Sequence, residues 1–321
     1  MNDACDLLGI QYPIVQGGMG NISNACLTSA VSEAGGLGTV GAGTMNPEKV
    51  EKMILEIKQM TKQPFSLNIP ITVTPYTEKL IELALKHRVK AVSLSAGNPA
   101  PYIQKLKGNG IKTMVIVGSV KHAKKAEEAG ADLLVAEGFE AAGINSHLEL
   151  TTLALIPQIV DHVKIPVLAA GGIGDGRGLA AALMLGASGV QMGTRFIATK
   201  EAPFHDRYKQ KILTSDDTGT VTLGRSFGGI RRVLKGNYAL AMLDAEKQGM
   251  TLDQFREKTS EEYHIKGAIY GDFDRGYVNG GQISGLIRNI PSVKELIENL
   301  MAHAEYQIQQ VHTAFNKKHG K

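Results

Sequence analysis

Short apolar runs alternate with longer amphipathic segments along the first 200 residues. The runs occupy residues 13–16, 36–40, 64–69, 91–95, 113–117, 133–136, 166–170 and 189–192. Each is too short for a buried helix, and β-branched residues are common in them, so each reads as a buried parallel strand. Helical patterns lie between them at 47–60, 77–87, 100–108, 119–129, 152–163 and 178–185. In 47–60, Val50, Met53, Ile54 and Ile57 recur at helical spacing with Glu and Lys between them. Repeated βα units imply a parallel sheet with right-handed crossovers. Eight units close a TIM (β/α)8 barrel, an α/β fold. The alternative is a doubly wound open sheet, which usually carries a G-x-G-x-x-G turn after its first strand. Here that turn reads Gln16-Gly17-Gly18-Met19-Gly20 and does not fit the fingerprint.

After Lys200 the pattern changes. Residues 201–275 are charged, helix-rich and without further barrel strands. Residues 276–287 are Gly-rich, and 293–318 read as one long C-terminal helix. The expected organisation is a barrel from 1–200 plus 276–321, with 201–275 inserted as a helical lid. Lys317, Lys318 and His319 read as a solvated end.

Composition narrows the function classes. The 321 residues suit one large α/β domain or two smaller ones. Lys+Arg 35 against Asp+Glu 31 leaves +4, too mild a balance for a nucleic-acid footprint. Hydrophobic residues at 43% and charged residues at 21% exclude global disorder. Cys5 and Cys26 make no disulfide framework, and Cys26, in a helical apolar pattern with Leu27 and Ala30, reads as a core residue. The opening residues show no signal-peptide pattern, and no apolar stretch reaches the length of a membrane span. A cytoplasmic location is the expectation.

In a TIM barrel the active site forms where the strands end at their C-termini. The seventh run ends in Gly171-Gly172 and the eighth in Gly193-Thr194. This fold commonly binds phosphate there, because Gly lets backbone N–H groups approach the oxygens and a helix N-terminus adds its dipole. The blander reading is that these glycines only turn the chain, but their pairing at these two strand ends favours a ligand's phosphate. Asp175 reads as a support for that loop through Asx-type hydrogen bonds. No His, Cys or carboxylate group has metal-ligand spacing, so no metal is expected.

The segments VQGGMG, PFSLNI, SAGNP, AEGFEAAG, PVLAAGGIGDGRG, GASGVQMGTRF and GGQISGL resemble the FMN-dependent nitronate monooxygenase (2-nitropropane dioxygenase) family, which includes the flavin-type enoyl-ACP reductases. The resemblance spans essentially the whole chain. It implies FMN in the barrel, with its phosphate on Gly171, Gly172, Gly193 and Thr194. It also implies Gly17, Gly18 and Met19 beside the isoalloxazine, and polar contacts from Asn68 and Gln191. Glu137, Ala142 and Gly143 would line the ribityl and ring pocket. The segment after Arg195 and the ending GDFDRGYVNGGQISGLI look most like the enoyl-reductase branch.

One departure concerns proton chemistry. Where the family usually reads E-A-G-G-H, this chain reads Glu140-Ala141-Ala142-Gly143-Ile144, and His147 follows in a longer loop. Imidazole titrates near neutral pH and suits proton transfer, which makes His147 the catalytic candidate. His205 is a weaker candidate at the lid. His87, His122, His162, His264, His303, His312 and His319 read as surface residues. Arg225, Arg231, Arg232 and Lys235 read as a solvated helix face, with attraction of an anionic substrate, an acyl-carrier protein or a nicotinamide phosphate as the alternative.

The implied activity is oxidation of alkyl nitronates with O2 to carbonyl compounds and nitrite. A nitronate arrives deprotonated, so the missing imidazole harms this route least. The alternatives are NAD(P)H-dependent enoyl-ACP reduction, NAD(P)H:quinone reduction, and a flavin-binding sensor without turnover. A small-molecule substrate is expected, with neither nucleic acid nor membrane as partner. Apolar positions in the C-terminal helix would permit a homodimer.

Overall fold

The computed structural model describes residues 4–319, with side chains to residue 316. Lys317, Lys318 and His319, read from sequence as a solvated end, have side chains outside the described residues. Eleven strands occur there: β1 (Ile14–Gln16), β2 (Gly38–Gly41), β3 (Phe65–Pro70), β4 (Ala91–Ser95), β5 (Lys112–Val117), β6 (Leu133–Glu137), β7 (Gly143–Asn145), β8 (Val167–Ala170), β9 (Gly189–Met192), β10 (Thr220–Leu223) and β11 (Ile230–Leu234). All eight apolar runs are strands, with ends moved by no more than two residues.

Eight of these strands form one parallel sheet in the order β1-β9-β8-β6-β5-β4-β3-β2. The two outer strands meet through a parallel bridge between Val15 and Leu37. Gln16 reinforces this seam, its side chain donating to Thr39 O at 3.2 Å and accepting from Thr39 N at 3.4 Å. The sheet is therefore rolled into the expected TIM barrel, ringed by helices such as Pro47–Met60 and Thr77–His87. Alternation along each strand sorts the residues. Val15, Met114, Leu133, Val135, Leu168 and Ala170 belong to the cluster that also takes Ala4 and Leu8 from the N-terminal helix Ala4–Leu8. Leu67, Val92, Val115, Leu134 and Ala169 pack outward in the larger cluster that holds the helices.

None of the chain between 201 and 275 adds to the barrel sheet. The segment is not purely helical, however. β10 and β11 form an antiparallel hairpin, and β11 pairs in turn with β7 from the loop after β6. Strong β-formers such as Val221 and Val233 sit in short charged stretches there, which hid the strands from a periodicity reading. Leu223, Val233, Met242, Phe255 and Tyr277 give this region an apolar cluster of its own.

The long C-terminal helix is present as Val293–His319. Val293, Leu296, Ile297, Leu300 and Ala304 are buried, and the helix packs chiefly on the helix Gly176–Met184. Among the described residues, no helix is long and apolar enough to cross a membrane.

Candidate functional site

A cavity of about 760 Å³ opens where the barrel strands end. Its walls come from the loops after β1, β3, β6, β8 and β9, and its roof from β7, β11 and residues 261–283. The twelve residues expected around the flavin, and His147, all line it.

The β1 wall carries Gly17, Gly18 and Met19. A Cβ on Gly18 would lie 2.6 Å from Asn68 Oδ1, so only glycine lets the loop press onto that carboxamide. Asn68 is anchored by Nδ2, which donates to Ser93 O and Ser95 Oγ at 3.2 Å each. Gln191, 7% exposed, sits behind Gly17.

The adjoining wall, at the ends of β9 and β8 beside β1, holds the glycine cup. Gly171 and Gly172 have φ of 95° and 69°, in the left-handed region that favours glycine. Among the described residues, the N–H groups of Gly172 and Gly193 donate to no protein acceptor. A Cβ on Gly193 would meet nothing within 4 Å. Thr194 Oγ1 accepts from Gly281 N at 3.0 Å and keeps its proton to donate. Asp175 caps the helix Gly176–Met184, accepting from Arg177 N at 2.9 Å and Gly178 N at 3.4 Å. That is the Asx-type support read from the sequence.

The β6 loop is held from several sides. Thr152 N and Oγ1 both donate to Glu140 Oε2 at 2.9 Å, Gln282 N donates to Glu140 O at 3.0 Å, and Asn145 Nδ2 donates to Ala141 O at 2.9 Å. This fixes Ala142 and Gly143 on the cavity wall. Glu137, at the end of β6, is half-buried and borders the cavity. Burial pushes that carboxyl up to about 7. Ile144 is 49% exposed at the mouth, and His147 stands exposed on the rim.

Four sequence readings need correction. His264, taken as a surface residue, is 2% exposed and lines the roof. Its ring stacks on Tyr277 at 5.3 Å, so burial against an aromatic face replaced the solvated position. His87, also taken as a surface residue, is mostly covered and meets Glu51 at 2.7 Å. The basic cluster is no helix face. Arg231 and Arg232 lie in β11, Arg225 in a short turn before it. Arg225 is bidentate to Glu149 at 2.9 and 3.0 Å, and it and Arg232 flank the Phe139 ring at 5.6 and 4.5 Å. Of those three arginines, Arg231 lines the cavity. Cys26 lies in the helix Ala25–Glu33 but on its exposed side, because Leu27, Thr28 and Val31 take the buried face.

His205 does not reach the cavity wall. Its Nδ1 caps the helix Asp206–Leu213 by accepting from Arg207 N at 3.1 Å. Sequence reasoning missed Glu261, His264 and Asn279 as wall residues, and named Arg231 only within a basic cluster whose alternative role was to attract an anion. The only available signal was their position in the region expected to cover the barrel.

A parallel barrel with a strand-end cavity, a glycine cup and a polar roof defines an enzyme of the TIM-barrel class. Residues 2–74 and 70–303 match the model of the nitronate monooxygenase family. The chain belongs to that family and is an oxidoreductase. It is 36% identical to a probable nitronate monooxygenase of Staphylococcus haemolyticus, over 71% of this chain and 78% of that one. It is 32% identical to (3aS,4S,5R,7aS)-5-hydroxy-7a-methyl-1-oxo-octahydro-1H-indene-4-carboxyl-CoA dehydrogenase of Mycobacterium tuberculosis, over 95% and 96% of the two chains. Among solved structures, FabK from Thermotoga maritima superposes with a TM-score of 0.94 at 39% identity, covering 98% of this chain and 99% of that one. Nitroalkane oxidase from Streptomyces ansochromogenes superposes at 0.85 with 25% identity, over 96% and 99%.

Proposed function

We propose that this chain is an FMN-dependent oxidoreductase that oxidises alkyl nitronates with O2 to carbonyl compounds and nitrite. The observation that carries the reading is the mouth of the cavity: the position expected to hold an imidazole is Ile144, and the guanidinium of Arg231 stands across from it. A cation without a base at that place suits a substrate that is already an anion.

The residues fit a phosphate-bearing flavin. Gly172 and Gly193 offer unpaired amides, Gly171 turns the chain beside them, and Thr194 adds a hydroxyl. These four would hold the phosphate. Gly17, Gly18, Met19, Asn68 and Gln191 would border the ring, and Glu137, Ala142 and Gly143 the ribityl and ring pocket. Bound FMN would supply the electron-accepting and oxygen chemistry. The protein's part is to bind, orient and exclude water. Arg231 would hold the nitronate oxygens, and Ile144 would keep water from the mouth. Residues 201–275 would act as the lid.

A second reading is reduction of an enoyl thioester by NAD(P)H. It is favoured by the likeness to FabK over nearly the whole chain and by the relative named for a carboxyl-CoA substrate. An acyl-carrier protein would then be a partner. Anaerobic stopped-flow absorbance of the yellow protein tests both readings. Bleaching by ethyl or 2-propyl nitronate supports the first. Bleaching by NADH or NADPH alone, with no response to nitronate, overturns it in favour of the second.

A further inference from the structure

The cavity extends beyond the wall expected to hold a flavin. The twelve residues of that wall come from β1, β3, β6, β8 and β9 and the loops that follow them. The cavity continues over the ends of β4 and β5, which supply none of the twelve. In the closed order of the barrel β4 stands four places from β9 in either direction, so this lobe lies across the mouth from the glycine cup. β4 pairs with β3, the strand of Asn68. A ligand in the lobe would therefore adjoin the flavin ring and not the flavin phosphate.

Basic and donor groups line this lobe. His122 and Lys125 stand three apart on the helix Val120–Glu128, which puts them on one face, and both border the cavity. His147 joins them from the loop after β6. Its neighbour Ser146 is pressed against the end of β5, since a Cβ on Gly118 would lie 2.8 Å from the Ser146 Cβ. Asn98 Oδ1 accepts from Ala100 N at 3.2 Å, which leaves the Nδ2 donor without an acceptor among the described residues. No carboxylate among the described residues is within ion-pair reach of His122, Lys125 or His147. The acids on the cavity wall are Glu137, Glu140 and Glu261, and none of them comes from β4, β5 or the loops after those strands. The lobe also holds a strained residue. Ala96 has φ of 49°, in the left-handed region that alanine rarely adopts, and Thr72 N fixes it by donating to Ala96 O at 3.0 Å. Strain of this kind collects at ligand sites, where the surrounding structure enforces it.

We propose that the lobe over β4 and β5 is a second anion subsite, which takes the diphosphate of an adenosine-diphosphate-bearing cosubstrate while the flavin phosphate occupies the cup. Lys125 would supply the charge, and His122, His147 and Asn98 Nδ2 the further donors. A diphosphate has enough oxygens to accept from all four at once, and hydrogen bonds to a charged acceptor are the strong ones. A nitronate carries one charge and no phosphate, so these groups exceed what it needs. Coenzyme A thioesters and nicotinamide dinucleotides share the adenosine diphosphate group, and either could bring it. The inference rests on the FMN reading of the cup and on neither choice of substrate.

The test is calorimetric titration of the FMN-loaded protein with ADP, so that the cup is already filled. ADP should bind at one site per chain, and added salt should weaken it. K125A and H122A should each weaken binding about 10-fold or more, as the loss of a hydrogen bond to a charged group requires. Lys124 is exposed on the same helix but absent from the cavity wall, so K124A should change affinity by less than about 2-fold. No binding of ADP, or binding that K125A and H122A leave unchanged, overturns the proposal. So does an equal loss in K124A, which would mark a diffuse surface attraction. Competition by coenzyme A or by NAD+ then names the source, and an ADP site from which neither displaces the probe overturns the assignment to a cosubstrate. ADP binding that K125A weakens and G193A leaves unchanged, in a protein that takes up no FMN, would uphold the lobe and sink the flavin reading.

Discussion

Arg231 and Ile144 are direct partners in the antiparallel pairing of β11 with β7. A strand from the region beyond the barrel thereby sets a guanidinium directly opposite Ile144 at the mouth. The guanidinium lies 5.3 Å from the Tyr277 ring centroid and has no carboxylate partner among the described residues. It lines the cavity, where its charge also helps hold the Glu261 carboxyl below the usual range.

R231M should therefore raise KM for ethyl nitronate about 10- to 100-fold, in line with about 1.5–3 kcal/mol for a hydrogen bond to a charged group. Steady-state kinetics at low ionic strength reads this directly. An unchanged KM would mean that Arg231 does not touch the anion.

Two glycines of the cup should respond differently to alanine. In G171A the new Cβ would stand 2.9 Å from Gly138 O with φ at 95°, so thermal stability should drop by several degrees. In G193A the Cβ would meet no protein atom, so the melting temperature of the flavin-free protein should hold. FMN affinity should nevertheless fall, measured by fluorescence quenching, because that Cβ enters the cup. Unchanged affinity in G193A would remove Gly193 from the phosphate site.

Glu137 predicts a pH effect with a definite sign. Its carboxyl titrates at about 7 in the folded protein and near the ordinary value of 4.5 when unfolded. A raised carboxyl contributes its stability fully below the unfolded value, and that stability is lost as pH rises through about 7. E137Q stays neutral, so it should melt with wild type at pH 5 and above wild type at pH 8.5. Parallel melting curves at both pH values would show that Glu137 is not buried as an acid.

The cap on the helix Gly176–Met184 gives a structural control. D175A should lose about 1 kcal/mol in urea unfolding, the usual cost of an N-cap. Asp175 is absent from the cavity wall, so FMN affinity should change much less than in G193A. A loss of affinity with no loss of stability would assign Asp175 to the ligand.

The barrel was legible because its signal is local. Eight short β-branched runs separated by amphipathic helices need only periodicity to be seen, and Ala91–Ser95 and Gly189–Met192 appear with the expected ends. The placement of the glycine pair was legible because Gly171 and Gly172 follow directly on one of the eight runs, at the strand end that borders the cavity. Cys26 went wrong for a related reason. A run of apolar residues in a short helix does not say which side faces the barrel, and Leu27 took the buried place.

The roof could not be read this way. β7 is three residues long and becomes a strand only because β11, more than 80 residues later, pairs with it. His264 looked like any polar helix residue until Tyr277 and Asn279 closed over it from a separate segment. The sequence by itself determined the barrel, the cup and the absence of an imidazole at position 144, because each depends on spacing within one βα unit. Only the tertiary structure decided that Arg231, Glu261 and His264 share the cavity. Long-range strand pairing and aromatic burial are set by contacts between distant segments, and neither leaves a periodic trace in the chain.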